Sequence, residues 1–302
     1  MCLPAVRVAR GAGALATLLG ALAAGCNAPA SERPSDAVDA RGEPVESAAP
    51  SASPSAAPDA LEGAAAGPCP EGMVPIVGKY CPYVGHRCVE WIEEHRDRCR
   101  RYAPPPLCEG RIVDKSLCMD RYEYPNQAGV LPAVMVSYIE AAEACRAEGK
   151  RLCTEDEWTF ACEGEERLPY PYGWERDATA CNIDRPYNLP DFEAFSHARR
   201  IAPEMERLDQ RVPSGSRPRC KSPFGVFDMT GNVDEWTRNE SPKPERNVDI
   251  SSLKGGYFGP IRARCRPVTR SHNRWFRFYQ VGFRCCADLA LAEPAAPVAP
   301  GG

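Results

Sequence analysis

Apolar residues follow a helical period in only two places along this chain. Ser137-Tyr-Ile-Glu140 has the spacing of a capping box, with a Ser hydroxyl for the first free N–H groups and a Glu three residues on to reach back. The run AAEACRAEG continues it and Gly149 supplies a stop. Thr154-Glu-Asp-Glu157 repeats the signal, and the helix it opens places Trp158, Ala161 and Cys162 on one face. Between Glu163 and Pro218 Pro, Arg and Asp are frequent and no period is sustained, which predicts long ordered loops held by staples or ions. Residues 270–283, RSHNRWFRFYQVGF, set Trp275, Arg277 and Tyr279 in alternation with Phe276 and Phe278, the pattern of a strand with one face buried. No internal repeat is evident.

The N-terminal run GALATLLGALAA follows Arg7 and Arg10 and leads through small residues to Gly25-Cys26, which predicts a secretory signal over residues 1–25. A cysteine at the junction points to a lipoprotein signal with Cys26 lipidated. An ordinary cleaved signal is the plainer alternative, and Ala23 stands where a larger aliphatic residue is usual. Residues 26–67, almost entirely Ala, Pro, Ser, Gly, Asp and Glu after the cysteine, form a tether that cannot bury enough to order itself. Residues 68–110 form a Cys-rich lead-in, residues 111–288 the main domain, and residues 289–302 a frayed tail.

Composition narrows the function. The whole chain carries 37 basic and 41 acidic residues; removing residues 1–25 takes away two arginines, leaving 35 against 41, or −6. No basic face for nucleic acid is indicated. Of the sixteen cysteines, Cys2 goes with the signal and Cys26 to lipid, so fourteen remain, an even number that in an exported chain implies disulfides. The six between 69 and 118 allow fifteen pairings, which sequence alone does not resolve.

Five segments, CMDRYEYPN (118–126), EACRAEGKRLCTEDEWTFACEG (143–164), FGVFDMTGNVDEWTRN (224–239), KGG (254–256) and RSHN through VGFRCC (270–286), together resemble the formylglycine-generating enzymes, or sulfatase-modifying factors, over residues 108–288. The resemblance implies a single α+β domain of the C-type-lectin-like kind, low in regular structure and rich in disulfides, with bound calcium. In the enzymes two cysteines after the KGG turn hold copper(I), a soft ion suited to paired thiolates, and oxygen converts a substrate cysteine to formylglycine. Here Cys265 is the one cysteine between Gly256 and Arg270 and the interval is shorter. The resemblance therefore places Cys265 at the family's structural position, paired with Cys162, and pairs Cys145 with Cys285. Cys286 would join Cys153 or Cys118, and copper is not expected.

The calcium loop of the family resembles GNVDEW, which names Asn232, the Val233 carbonyl and Glu235 as ligands, with Asp234 in place of the usual aromatic residue. Asn182 and the Ile183 carbonyl resemble part of a second calcium site. A Gly-Asn turn with a solvated acid pair is the alternative. The enzymes' substrate groove borders residues 270–283, so Trp275, Tyr279, Arg262, Arg264, Arg274 and Arg277 are candidates for a peptide or anionic-ligand groove. Against this stands a core strand whose arginines pair with the acids of 155–166. His86, His95, His197 and His272 offer no ligand-spaced pair for iron. Two functions follow: a lipid-anchored, non-catalytic envelope protein binding a peptide, protein or glycan, or a divergent oxidase in which Cys265 is free and catalytic.

Overall fold

The computed structural model describes residues 67–93, 97–243 and 249–290; the signal, Cys26, the tether, His95 and the tail past residue 290 lie outside them. In chain order the elements are β1 (Met73–Tyr80), β2 (Val84–Trp91), β3 (Cys99–Cys108), β4 (Val113–Asp120), α1 (Tyr138–Ala147), β5 (Arg151–Leu152), α2 (Glu155–Glu163), α3 (Ile201–Leu208), β6 (Asp234–Arg238), β7 (Ser251–Lys254), β8 (Val268–Thr269), β9 (Val281–Phe283) and β10 (Cys285–Asp288). One antiparallel sheet runs β1-β4-β10-β5, and a second runs β8-β7-β6-β9 with β6 and β9 parallel. β2 and β3 form a separate hairpin. This is the α+β, disulfide-rich architecture expected.

Both capping boxes form as the sequence spacing dictates. The Ser137 hydroxyl accepts from the Glu140 N–H while the Glu140 carboxylate accepts from the Ser137 N–H, and Thr154 and Glu157 do the same for α2. α2 then buries Trp158, Phe160, Ala161 and Cys162 against Val74, Ile76, Leu117 and Met119 of β1 and β4. α1 packs Tyr138, Ala141 and Cys145 with Trp236, Leu253, Val281 and Phe283 of the second sheet. Each of these fully buried aliphatic or aromatic side chains contributes roughly 1.5–3 kcal/mol of transfer free energy.

The lead-in is not a separate module. β1 pairs with β4 over eight residues, so the boundary read at residue 110 falls within the fold, between β3 and β4. The six cysteines from Cys69 to Cys118 pair in a nest: Cys69–Cys118, Cys81–Cys108 and Cys88–Cys99. Farther on, Cys145–Cys285, Cys153–Cys286, Cys162–Cys265 and Cys181–Cys220 close the domain, so every cysteine among the described residues is in a disulfide. Bridges spanning 103 and 140 residues each contribute about 4–5 kcal/mol in chain-entropy terms.

The long loop region contains one helix that the sequence pattern did not announce, α3. Pro203 sits in its first turn, where no intrahelical N–H bond is lost, and Leu208 packs with Tyr257, Phe258 and Tyr279. Residues 270–280 turn rather than run as a strand; the extended segment is confined to β9.

Candidate functional site

Two regions concentrate buried charge. The first lies under the Gly231–Glu235 turn. Gly231 has φ of 82°, and a Cβ there would meet the Asn182 carbonyl oxygen at 2.3 Å, so only glycine lets the turn approach that backbone. Asn232, buried at φ 59°, is consequently held against Asn182: its Oδ1 accepts from Asn182 Nδ2 at 3.0 Å and from the Val212 N–H at 2.9 Å. Its amide donates to Glu123 Oε2 at 2.8 Å and to the Val212 carbonyl at 3.1 Å. Asn182 Oδ1 accepts from Arg185. Glu235 is fully enclosed, with Arg284 donating to both oxygens at 2.6 and 2.7 Å and Trp158 Nε1 donating at 2.7 Å.

The side-chain oxygens expected to hold calcium accept hydrogen bonds from protein donors here. Val233 and Ile183 are buried beside them. The open oxygens belong to two residues that the sequence reading did not select. Glu123 Oε1 and Asp228 Oδ1 are buried and have no hydrogen-bond partner. Their other oxygens accept from the adjacent residues Ser214 and Gly215, at 2.8 and 2.7 Å. Burial raises both carboxyls, that of Asp228 to about 6, and Asp228 and Glu235 raise Glu123 further. Three buried carboxylates, Glu123, Asp228 and Glu235, face one buried guanidinium, Arg284. Among the described residues no three His, Cys, Asp or Glu side chains come together as a metal cluster, and Glu123 Oε1 and Asp228 Oδ1 stand as buried oxygens without donors. Glu123 was hidden because it lies 109 residues from Asn232.

The second region is a cavity of about 450 Å³ beside the KGG turn, lined by Asp234, the Leu253–Gly256 segment, Pro260, Ile261 and Arg262, with Glu93 and Arg98 from the β2–β3 hairpin. Gly256 (φ 74°) lets the turn close, since a Cβ would meet Ile261 at 2.8 Å. The hairpin is fixed there by Arg98, which binds Glu93 and reaches Asp184 at 2.6 Å, and Asp184 is bound in turn by Arg176 at 2.8 Å. Asp234 is half-buried, and burial pushes its carboxyl up to about 7.

The sequence-predicted groove does not assemble as one surface. Tyr279 is buried in the α3 cluster, while Trp275 is 66% exposed. Arg274 is paired with Asp249, Arg277 with Glu140, and Arg264 lies over the Tyr102 ring. Arg262 alone of the set borders the cavity. Pairing with the acids of α2 is made by other arginines, Arg270 with Glu155 and Arg266 with Glu163. Of the histidines, His86 binds the Arg167 carbonyl at 2.7 Å, His197 the Glu193 carbonyl, and His272 stacks on Phe276.

Residues 86–289 match the sulfatase-modifying factor enzyme 1-like domain. The chain belongs to the sulfatase-modifying factor family. It is similar to the inactive C-alpha-formylglycine-generating enzyme 2 of Bos taurus, 28% identical over 163 residues, covering 52% of this chain and 50% of that protein. It is similar also to the formylglycine-generating enzyme of Mycobacterium tuberculosis, 29% identical over 184 residues, covering 52% of this chain and 57% of that one. The chain therefore spans about half the length of these family members. Among solved structures it resembles PvdO from Pseudomonas aeruginosa, with a TM-score of 0.44 and 18% identity, over 74% of this chain and 96% of that one. Cys265, in the segment after the KGG turn, is bonded to Cys162. No helix of the described residues is long and apolar enough to cross a membrane.

Proposed function

We infer that this chain is a non-catalytic member of the sulfatase-modifying factor family that works by binding a peptide, protein or glycan, exported and held at the cell envelope by a lipid on Cys26. The observation that carries the reading is the Cys162–Cys265 bridge: the sulfur nearest the family's copper position is consumed in a staple. The likeness to a relative whose name describes it as inactive points the same way. Seven disulfides suit an oxidising compartment, which supports export. The cavity beside the KGG turn offers the binding site, because its volume lies within the range of about 300–1,000 Å³ of small-ligand pockets. Glu123 and Asp228 serve this reading structurally, holding a divalent cation that fixes the loops around Asn182 and Asn232.

The competing reading is oxidation of a substrate protein cysteine to formylglycine. Incubating the exported protein with copper, oxygen, a thiol reductant and a sulfatase-derived cysteine peptide separates the two. The binding reading predicts no aldehyde above a control lacking protein. Aldehyde formation lost in Cys265→Ser would establish the oxidase instead.

A further inference from the structure

The cavity beside the KGG turn has an imbalance of charge at one position. Asp234 borders it half-buried, and among the described residues its carboxylate makes no ion pair with a lysine, arginine or histidine. The other charges are accounted for. Glu93 is bound by Arg98, which also binds Asp184. Lys254 directs its ammonium elsewhere, donating to the Arg266 carbonyl at 3.1 Å and lying over the Trp158 ring. Asp97 and Arg262 are both exposed, one of each sign. The remaining side chains on its walls are aliphatic, Leu253, Pro260, Ile261 and Pro267, apart from Thr269. A partly buried carboxylate without a counter-charge is costly, and an arriving cation relieves that cost while methylene groups cover the apolar wall.

We propose that this cavity receives a basic side chain of a partner peptide, lysine or arginine, with its ammonium or guanidinium group on the Asp234 carboxylate and its stem against Leu253 and Ile261. The proposal rests on the binding reading and gives it a ligand class. It makes the departure at position 234, an acid where the family is expected to carry an aromatic residue, the feature that sets the ligand.

The test is a titration of the exported protein, at pH 8, with four capped amino acids of similar size: the N-acetyl methylamides of lysine, arginine, norleucine and glutamate, followed by chemical shifts. The expected result is binding of the lysine and arginine compounds at least tenfold tighter than that of norleucine, with glutamate weakest, and loss of that preference in Asp234→Asn, whose thermal midpoint is measured alongside. The wild-type ranking is itself decisive if Asp234→Asn does not fold. Equal binding of norleucine and lysine would overturn the cation assignment while leaving the cavity a binding site. Failure of all four to bind up to their solubility limits would overturn the cavity as the site, and the assignment with it, whereas aldehyde formation on the sulfatase peptide is what sinks the non-catalytic reading.

Discussion

Glu123 and Asp228 illustrate how one unsatisfied atom redirects a functional reading. The GNVDEW motif named Asn232 and Glu235 as calcium ligands; in the structure Asn232 bonds to Asn182 and Val212, and Glu235 to Arg284 and Trp158. A buried carboxylate oxygen with no donor costs on the order of 1–3 kcal/mol, more where it carries charge. The divalent cation proposed at Glu123 and Asp228 would remove that cost for both. Calcium is expected to raise the thermal midpoint of the protein and a chelator to lower it; Glu123→Gln and Asp228→Asn should each abolish the response. An unchanged midpoint across calcium concentrations in the wild-type protein would remove the cation from this account. Such convergence was not legible in the sequence, because Glu123, Ser214 and Asp228 meet only through tertiary packing and none stands in a ligand-spaced motif.

Elements fared differently according to how local their causes are. The two capping boxes are four-residue signals, and α1 and α2 begin where those signals say. α3 has no side-chain cap, and its place is set by Leu208 packing on Tyr279 and Phe258, contacts between residues far apart in sequence. Residues 270–280 showed alternation without becoming a strand, because Phe276 and Phe278 fill neighbouring gaps around Trp236 and Phe195 through turns. The β2–β3 hairpin is docked partly by His86, which contacts the Arg167 carbonyl and packs against Tyr102 and Trp174. Burial, together with the charges of Arg264 and Arg266, lowers its pKa to about 4 from an ordinary value near 6.5. Because the folded value is depressed for a group that charges on protonation, the unfolded chain binds more protons between those two values, and stability present above pH 6.5 is lost as pH falls toward 4. His86→Phe should flatten the dependence of the thermal midpoint on pH over that window, whatever its effect at pH 8. An identical slope in the variant would show that the hairpin is not acid-sensitive through this residue.

At the scale of the whole molecule, disulfides take the place of extensive regular structure. The nested trio from Cys69 to Cys118 secures β1 and the hairpin, while Cys145–Cys285 and Cys153–Cys286 tie α1 and the start of α2 to β10, Cys162–Cys265 ties α2 to the loop before β8, and Cys181–Cys220 joins two loops. The pairings Cys162–Cys265 and Cys145–Cys285 were accessible through resemblance, since whole segments align with the family. Cys286 had two open choices, and only the register of β10 beside β5 sends it to Cys153. The proposed non-catalytic reading requires the conversion of Cys265 to a cross-link with Cys162. That conversion can be read directly on the exported protein by denaturing it in alkylating reagent without reduction, digesting it and identifying linked peptides by mass spectrometry. The account predicts a Cys162–Cys265 peptide pair and no alkylation at any of the fourteen cysteines from Cys69 to Cys286. Alkylated Cys265, with Cys162 free or joined elsewhere, would contradict it.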